Sequence, residues 1–285
     1  FGKPPHPLEY KAIIESRKKI AKVSEKADVI TISHYHFDHH TPSYEDWCYN
    51  WSSPEVARQI YEGKIVLMKN YRSYINFSQK RRGWIFAKTG GKYAERLEAA
   101  DGKTFEFGET KLRFSMPVFH GPENSPLGWL LMTVIEHEDE KVMFAPDVQG
   151  PMYNATLEMI ISERPQLLII GGPPTYLIDF RVKREDVEQG LRNLSEITKY
   201  VPITVLEHHL LRDAGWREDS REVFENALES GNRVLTSAEL LAQRNNLLEA
   251  YRNQLYESYP PDKDFISWIK LPNSKRKTIK AEDIK

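Results

Sequence analysis

The sequence has a single cysteine, no long hydrophobic run and almost no net charge. One cysteine, Cys48, in 285 residues cannot form an internal disulfide. It also excludes cysteine-rich zinc fingers and iron–sulfur clusters held within one chain. The longest plainly apolar run, residues 129–135, is far shorter than the roughly 20 residues that span a bilayer. We therefore expect a cytoplasmic protein that has no membrane contact and in which Cys48 is a small buried residue.

What is present indicates a folded α/β chain. Hydrophobic residues make up 40% of the sequence, enough to form a real core. Helical and strand-like segments alternate: residues 28–33 form a β-branched run typical of a buried strand, and Ser53 followed by Pro54 is typical of a helix start. Residues 76–100 are expected to be mostly helical, and a long helix is expected from Ser237 to about Tyr256. The pattern predicts a single α/β layered domain over residues 1–285 with a helical C-terminal extension.

The most informative segment follows the first predicted strand and contains four of the nine histidines within seven positions. It carries the spacing His34-x-His36-x-Asp38-His39, with His40 directly after it. Imidazole and carboxylate at close positions on a strand-end loop suit zinc and related divalent metals. A chance match to this spacing is on the order of one in a thousand, so we prefer metal binding to a solvated, histidine-rich loop.

This motif resembles the signature of the metallo-β-lactamase-fold hydrolase superfamily. The resemblance implies an αββα four-layer sandwich with a site for two divalent metals along one edge. In that pattern the first two histidines and a later histidine bind one metal, and the aspartate, its neighbouring histidine and a final histidine bind the other. An acidic residue bridges the two metals.

The rest of the sequence can be compared with this pattern. His120 ends a strand in mid-chain, Asp147 follows a later strand in the place of the bridging acid, and His208 and His209 end a late strand. The order matches over roughly residues 28–236, although each of these residues alone would suit an ordinary structural role. Successive side chains at a strand end point to opposite faces, so only one of His208 and His209 is expected to reach the metal; His208 is preferred.

The start of the sequence departs from the superfamily pattern. Two or more strands normally precede the histidine motif, whereas here only a proline-rich segment and one helix do. Either the first strands are missing or the sandwich is completed differently. The absence of an initial methionine at Phe1 favours the first expectation.

The resemblance implies a metal-dependent hydrolase in which a metal-activated hydroxide attacks phosphorus or carbonyl carbon. Asp147 and Asp38 are the candidate catalytic residues, since Asp147 bridges the metals and Asp38 binds one and steers a proton. The preferred substrate is a phosphodiester or related ester, because Asp147 resembles the acid of the superfamily's hydrolases and phosphodiesterases. The alternatives are a thioester, lactone or amide hydrolase, and a non-catalytic nucleic-acid-binding protein with a structural metal. Zinc is the default metal, while iron or manganese also suits this ligand set.

Charge is unevenly distributed along the chain. Residues 63–94 carry eight basic and no acidic residues, while the other 253 residues carry 32 basic and 41 acidic. Aromatic residues lie between the basic ones, a composition that suits phosphates and bases. The ordinary interpretation is a solvated helix whose aromatic residues pack inward; the alternative is a surface for a small-molecule or nucleic-acid substrate. On the second interpretation the candidates are Asn70, Arg72, Lys80, Arg81 and Arg82.

One more candidate lies between two ligand motifs. The segment Gly171-Gly-Pro-Pro-Thr-Tyr176 ends a predicted strand, and strand-end loops commonly shape binding sites. Tyr176 is therefore a substrate-binding candidate, although a plain tight turn is an equally good interpretation.

Overall fold

The computed structural model describes residues 2–276. Its helices are α1 (Pro7–Ser24), α2 (Pro54–Tyr61), α3 (Phe77–Lys88), α4 (Asn154–Glu163), α5 (Arg184–Thr198), α6 (Trp216–Asp219), α7 (Arg221–Glu229), α8 (Ser237–Leu240), α9 (Arg252–Ser258) and α10 (Lys263–Ile269). Short 3₁₀ turns cover Gly90–Tyr93, Thr175–Leu177, Leu210–Arg212 and Asn273–Lys275. Within residues 2–276 no helix combines the length and the apolar character needed to cross a membrane.

The strands are β1 (Val29–Ile32), β2 (Ile65–Met68), β3 (Arg96–Ala99), β4 (Thr104–Phe107), β5 (Thr110–Phe114), β6 (Val118–Phe119), β7 (Trp129–Leu130), β8 (Thr133–His137), β9 (Glu140–Ala145), β10 (Leu167–Gly171), β11 (Ile203–Glu207) and β12 (Arg233–Thr236). They form sheets of three, seven and two strands. The expectation of an α/β chain is confirmed.

The chain divides into two compact units. Among the described residues, unit 1 contains residues 2–71, Phe77–Ala99 and residues 248–276; unit 2 contains Arg72–Asn76 and Ala100–Leu247. The break points lie in loops or between elements, so each sheet belongs to one unit.

Unit 1 is built on a parallel sheet in the order β1-β2-β3. The start of α1 is fixed by a capping box and by proline at the first helical position. The His6 side chain accepts a hydrogen bond from the backbone of the first turn, and the Glu9 side chain accepts one from the His6 amide. Ser53 caps α2 as the sequence predicts, since its side chain accepts a hydrogen bond from the Val56 amide. Cys48 is buried as expected, in an apolar cluster formed by α1, α10 and neighbouring aromatic residues.

Unit 2 is built on a seven-stranded sheet in the order β12-β11-β10-β9-β8-β5-β4. Strands β9 to β12 pair in parallel, and β9, β8, β5 and β4 pair in antiparallel fashion. The core contains buried side chains from β9, β10, α4 and α5, among them Met143, Leu168, Ile160 and Leu194. Because β9, β10 and β11 are parallel neighbours, their carboxyl ends lie at one edge of the sheet, where loops commonly form sites.

Two expectations about local structure are wrong. Residues 96–99 form β3 rather than part of a helix, because pairing with β2 gives their backbone groups hydrogen-bond partners that outweigh local helix preference. The long helix expected from Ser237 stops at Leu240, where Ala242 adopts φ +54° and the Asn245 side chain bonds to Thr236 and Glu239. A left-handed residue cannot continue a right-handed helix, and α9 begins only at Arg252.

Candidate functional site

The histidine motif forms a compact loop in unit 1, directly after β1. His34 is fully buried, and its Nδ1 lies 3.0 Å from the Ser33 hydroxyl. Its ring centroid lies 4.8 Å from that of His36 and 4.2 Å from that of His39. Asp38 is largely exposed, with a carboxylate oxygen 3.9 Å from His39 Nε2. The loop therefore groups three imidazoles and a carboxylate, as the sequence predicts for a ligand-bearing segment.

Two buried side chains fix this loop. The Tyr35 amide donates a hydrogen bond to Gln79 of α3 (3.1 Å), and the Tyr35 hydroxyl donates to the Lys69 carbonyl. His40 Nδ1 lies 2.9 Å from the His36 carbonyl. Burial lowers the pKa of His40 to about 4 despite that hydrogen bond, so this imidazole is neutral at pH 7 and holds the loop by donating to the carbonyl.

The second group of candidate ligands lies in unit 2 and centres on Asp147. This carboxylate is 1% exposed and follows β9, at the carboxyl edge of the parallel strands. Its oxygens lie 2.9 Å from His120 Nε2, 3.1 Å from His208 Nε2 and 3.3 Å from His209 Nε2. Three imidazoles from two separate parts of the sequence thus converge on one buried carboxylate.

His208 and His209 both face Asp147, contrary to the expectation that a strand end would separate them. The reason is the backbone: β11 ends at Glu207, His208 adopts φ +28°, and His209 is already in helical conformation before the turn that starts at Leu210. The alternation of an extended strand therefore no longer applies. The two rings lie 4.4 Å apart and are tilted by 33°.

The backbone around this carboxylate is conformationally special. Asp147 and Gln149 adopt φ +48° and +59°, values that non-glycine residues visit uncommonly and that cluster at functional sites. A Cβ on Gly171 would lie 2.7 Å from the Asp147 nitrogen, so only glycine fits where β10 ends against this turn. The surrounding strands thus hold Asp147 in an otherwise unfavourable conformation.

Burial and neighbouring charges together set the protonation of the two adjacent histidines. Burial lowers the pKa of His208, but hydrogen bonds to Asp147 and Glu207 outweigh it and raise the pKa to about 10. Burial lowers the pKa of His209, and the positive charges of His208 and Arg212 act in the same direction. The carboxylates therefore favour a cation at this point.

The donor set fits a divalent metal. Donor atoms of Asp147, His208 and His209 all lie within 4.8 Å of one another. Ligands about 2.1 Å from a tetrahedral zinc ion are separated by about 3.4 Å, close to the separations given above. Imidazole and carboxylate are the donors that zinc, iron and manganese accept.

The substrate-binding candidates divide into three sets. Lys80 and Arg81 lie on the exposed side of α3, whereas Arg82 is half-buried with its guanidinium 4.3 Å from the Phe37 ring centroid. Asn70 is half-buried and Arg72 is exposed, in the loop between β2 and α3. In unit 2 the Tyr176 hydroxyl lies 3.4 Å from His209 Nδ1 and 3.4 Å from Arg212 Nη1. Tyr176 and Arg82 each contact a residue of the candidate ligand segments.

Three residues of the site were missed by sequence reasoning. Glu207 Oε2 lies 3.1 Å from His208 Nδ1 and so orients the ring toward Asp147. On the histidine loop, the Ser33 hydroxyl contacts Nδ1 of His34 in the same way and orients that ring. Both directly precede a candidate ligand, and that adjacency was the available signal. Gln79 lies 44 positions from Tyr35, the residue it holds, and nothing local in the sequence marks it.

Comparison with known proteins gives close relatives without an assigned activity. The chain is 43% identical over 255 residues to a UPF0282 protein of Methanopyrus kandleri, covering 90% of this chain and 85% of that protein. It is 44% identical over 254 residues to a UPF0282 protein of Thermococcus sibiricus, covering 89% and 80%. No family model matches the chain.

Solved structures give more distant matches. A metal-dependent hydrolase of the beta-lactamase superfamily matches with a TM-score of 0.39 and 13% identity, covering 73% of this chain and 75% of that one. The diiron beta-hydroxylase CmlA from Streptomyces venezuelae matches with a TM-score of 0.44 and 12% identity, covering 73% of this chain and 43% of that one. At this distance the matches assign no reaction to the chain.

Proposed function

We propose that this chain, which belongs to the UPF0282 family, is a metal-dependent hydrolase of phosphodiester or related ester bonds. The observation that carries the proposal is the buried Asp147 carboxylate with three imidazole nitrogens within 3.3 Å. A buried carboxylate surrounded by imidazoles is costly unless a cation compensates it, and a resident divalent metal supplies that charge permanently. The resemblance of the sequence assigns the histidine loop and Asp147 to one pair of metals, and the stoichiometry below tests that assignment.

Bound divalent metals would lower the pKa of a water molecule toward neutrality and stabilise negative charge that develops on the substrate. The protein's own groups have separate tasks. Asp147 holds the imidazoles of His208 and His209 side by side, and Glu207 orients His208 through its Nδ1. The Tyr176 hydroxyl lies next to His209 and Arg212, and we assign it the contact to a substrate oxygen at this edge of the sheet.

Metal content is the direct test. We expect purified, metal-reconstituted protein to retain two equivalents of zinc, iron or manganese after dialysis, as measured by elemental mass spectrometry. Asp147→Ala and His36→Ala should each lose metal and activity together. The matched control is Asp139→Ala, in the exposed turn between β8 and β9, which should keep both. A metal-free wild-type protein that is active, or metal retained by all three variants, would contradict the proposal.

The reaction class is tested with the same metal-loaded protein. A panel of chromogenic phosphodiesters, thioesters and lactones separates the preferred substrate from the alternatives. Hydrolysis of diesters that is absent in Asp147→Ala supports the proposal. Hydrolysis of the thioester or lactone alone assigns the protein to the other class of hydrolase.

A further inference from the structure

Helix α3 presents two chemically different faces. Its inner face is buried through Gln79, Gly83 and Phe86, which lie at helical spacing. Its outer face is exposed and carries Phe77, Lys80, Arg81, Trp84, Ile85 and Lys88. The ordinary interpretation of this segment, in which the aromatic residues pack inward, therefore applies to Phe86 but not to Phe77 or Trp84.

The outer face alternates aromatic and basic side chains along one stripe. Phe77, Arg81, Trp84 and Lys88 are separated by four, three and four positions, so they lie nearly above one another. Phe77 is 83% exposed and Trp84 is 53% exposed. Two large aromatic rings held open to water on one short helix contribute little to folding, and exposed apolar patches mark interaction sites.

The charge of this helix is of one sign. Helix α3 contains four basic residues and no acidic residue, whereas the solvated helix α1 intersperses its lysines with Glu9 and Glu15. Within residues 2–276, no carboxylate lies within 4.0 Å of the nitrogen atoms of Lys80, Arg81 or Lys88. An unneutralised basic stripe favours a polyanionic partner.

The inner face of the same helix contacts the histidine loop. Gln79 accepts a hydrogen bond from the Tyr35 amide, and Arg82 stacks on Phe37. A ligand on the outer face is thus separated from the loop by the thickness of one helix, about 10 Å. One helix thus carries the basic stripe on its outer face and contacts the segment with candidate metal ligands on its inner face.

We propose that the outer face of α3 binds single-stranded nucleic acid. Bases stack on Phe77 and Trp84, and phosphates contact Lys80, Arg81 and Lys88. The two rings are about 10 Å apart along the helix axis, the length of about three stacked nucleotide steps. Stacking distinguishes this partner from other polyanions, because only a nucleic acid offers both phosphates and aromatic faces. That the bound strand is also the hydrolysed substrate rests on the function proposed above; the binding itself does not.

Binding is measured by fluorescence anisotropy of labelled 20-nucleotide oligo-dT and oligo-U with the full-length protein, with strand integrity checked on a gel. Tighter binding of oligo-U or of oligo-dT identifies RNA or DNA as the source of the strand. We expect Trp84→Ala to weaken binding about 5- to 150-fold, the range found for loss of one stacked base. Trp84→Phe, which retains a ring, should restore most of the affinity. Neither stacking variant should change the slope of affinity against salt.

Removing the basic side chains of α3 should change the salt dependence of binding, which the stacking variants leave unchanged. Replacing Lys80, Arg81 and Lys88 together by glutamine should reduce the slope of log affinity against log salt by about 2, since each phosphate contact contributes about 0.7. The matched control replaces Lys19, Lys22 and Lys26 by glutamine, three exposed basic residues in the last two turns of α1 and just after it. This control removes the same charge from the same unit and should leave the slope nearly unchanged.

Several outcomes would overturn the proposal. The first is equal affinity for duplex and single strand together with no effect of Trp84→Ala. The second is a loss of affinity in the α1 control as large as that in the α3 charge variant. The third is binding to phosphatidylserine vesicles but not to oligonucleotides. Hydrolysis of small diesters without oligonucleotide binding would overturn the α3 proposal alone. Oligonucleotide binding without bound metal or hydrolysis would leave it standing and overturn the proposed function.

Discussion

Replacing Gly83 by alanine tests whether α3 is held tightly against the histidine loop. Helix propensity alone predicts a gain in stability of about 1 kcal/mol, because glycine is unfavourable in a helix interior. The structure predicts the opposite. A Cβ at this position would lie 2.5 Å from the Tyr71 Cβ and 2.6 Å from Tyr35 Cε2, closer than Cβ atoms are found in real proteins.

Neither neighbour can move aside cheaply. The Tyr71 Cβ is attached to the backbone, so no side-chain rotation displaces it. Tyr35 is fully buried and anchored at both ends, by its amide to Gln79 and by its hydroxyl to the Lys69 carbonyl. Overpacking of this kind costs about 1–3 kcal/mol, and two simultaneous clashes favour the upper end. After subtraction of the propensity gain, we expect the free energy of unfolding of Gly83→Ala to fall by about 2 kcal/mol.

The measurement is urea unfolding followed by intrinsic fluorescence, with metal content determined on the same samples. Because Tyr35 lies inside the histidine loop, displacement of α3 should also weaken metal binding, by about 10- to 100-fold as for loss of other supporting contacts. Ser78→Ala, an exposed change on the same helix, is the control and should alter stability by no more than about 0.5 kcal/mol. A Gly83→Ala protein as stable as the wild type, with unchanged metal content, would refute the reasoning.

Two further predictions concern ion pairs. Glu9 and Arg252 form a buried, bidentate pair. Glu9→Gln should therefore lower the free energy of unfolding by about 3 kcal/mol in urea titrations. Glu15→Gln, in an exposed pair with Lys18, should change it by less than about 0.5 kcal/mol. Equal effects of the two changes would contradict this. Hydrogen bonds from Arg113 lower the pKa of Glu163, so this pair contributes stability above the unfolded pKa of about 4.3 and loses it as pH falls through the lowered pKa. Arg113→Met should therefore be less stable than the wild type at pH 7 and approach it below about pH 4 in thermal melts; a difference independent of pH would count against the pair.

Much of the local structure follows from the sequence because its causes are local. The Ser53-Pro54 start of α2 needs only a capping side chain and a fixed φ, and both lie within two residues. Strand β1 follows from a β-branched run. One failure lies where a distant partner decides, because residues 96–99 become a strand beside β2. The other has a local cause, because a left-handed residue at Ala242 and the contacts of Asn245 end the helix from Ser237 early.

The candidate ligands could be recognised from the sequence because metal chemistry depends on residue type and order. His34, His36, Asp38 and His39 lie within six positions, and the later candidates each follow a predicted strand. The roles of these residues in metal binding and catalysis remain predictions. The residues that orient them were only partly visible, since Glu207 adjoins its histidine in sequence whereas Gln79 reaches Tyr35 across 44 positions.

The sequence by itself determined which donor types this protein offers, in which order, and that one basic, aromatic segment breaks its charge balance. Only the tertiary structure decided that both His208 and His209 face Asp147, and that Phe77 and Trp84 of α3 face water while Gly83 and Phe86 do not. The physical reason is the same in both cases. A side chain's type is set at its own position, but the direction it points depends on how the backbone turns there and on packing partners that can lie far away along the chain.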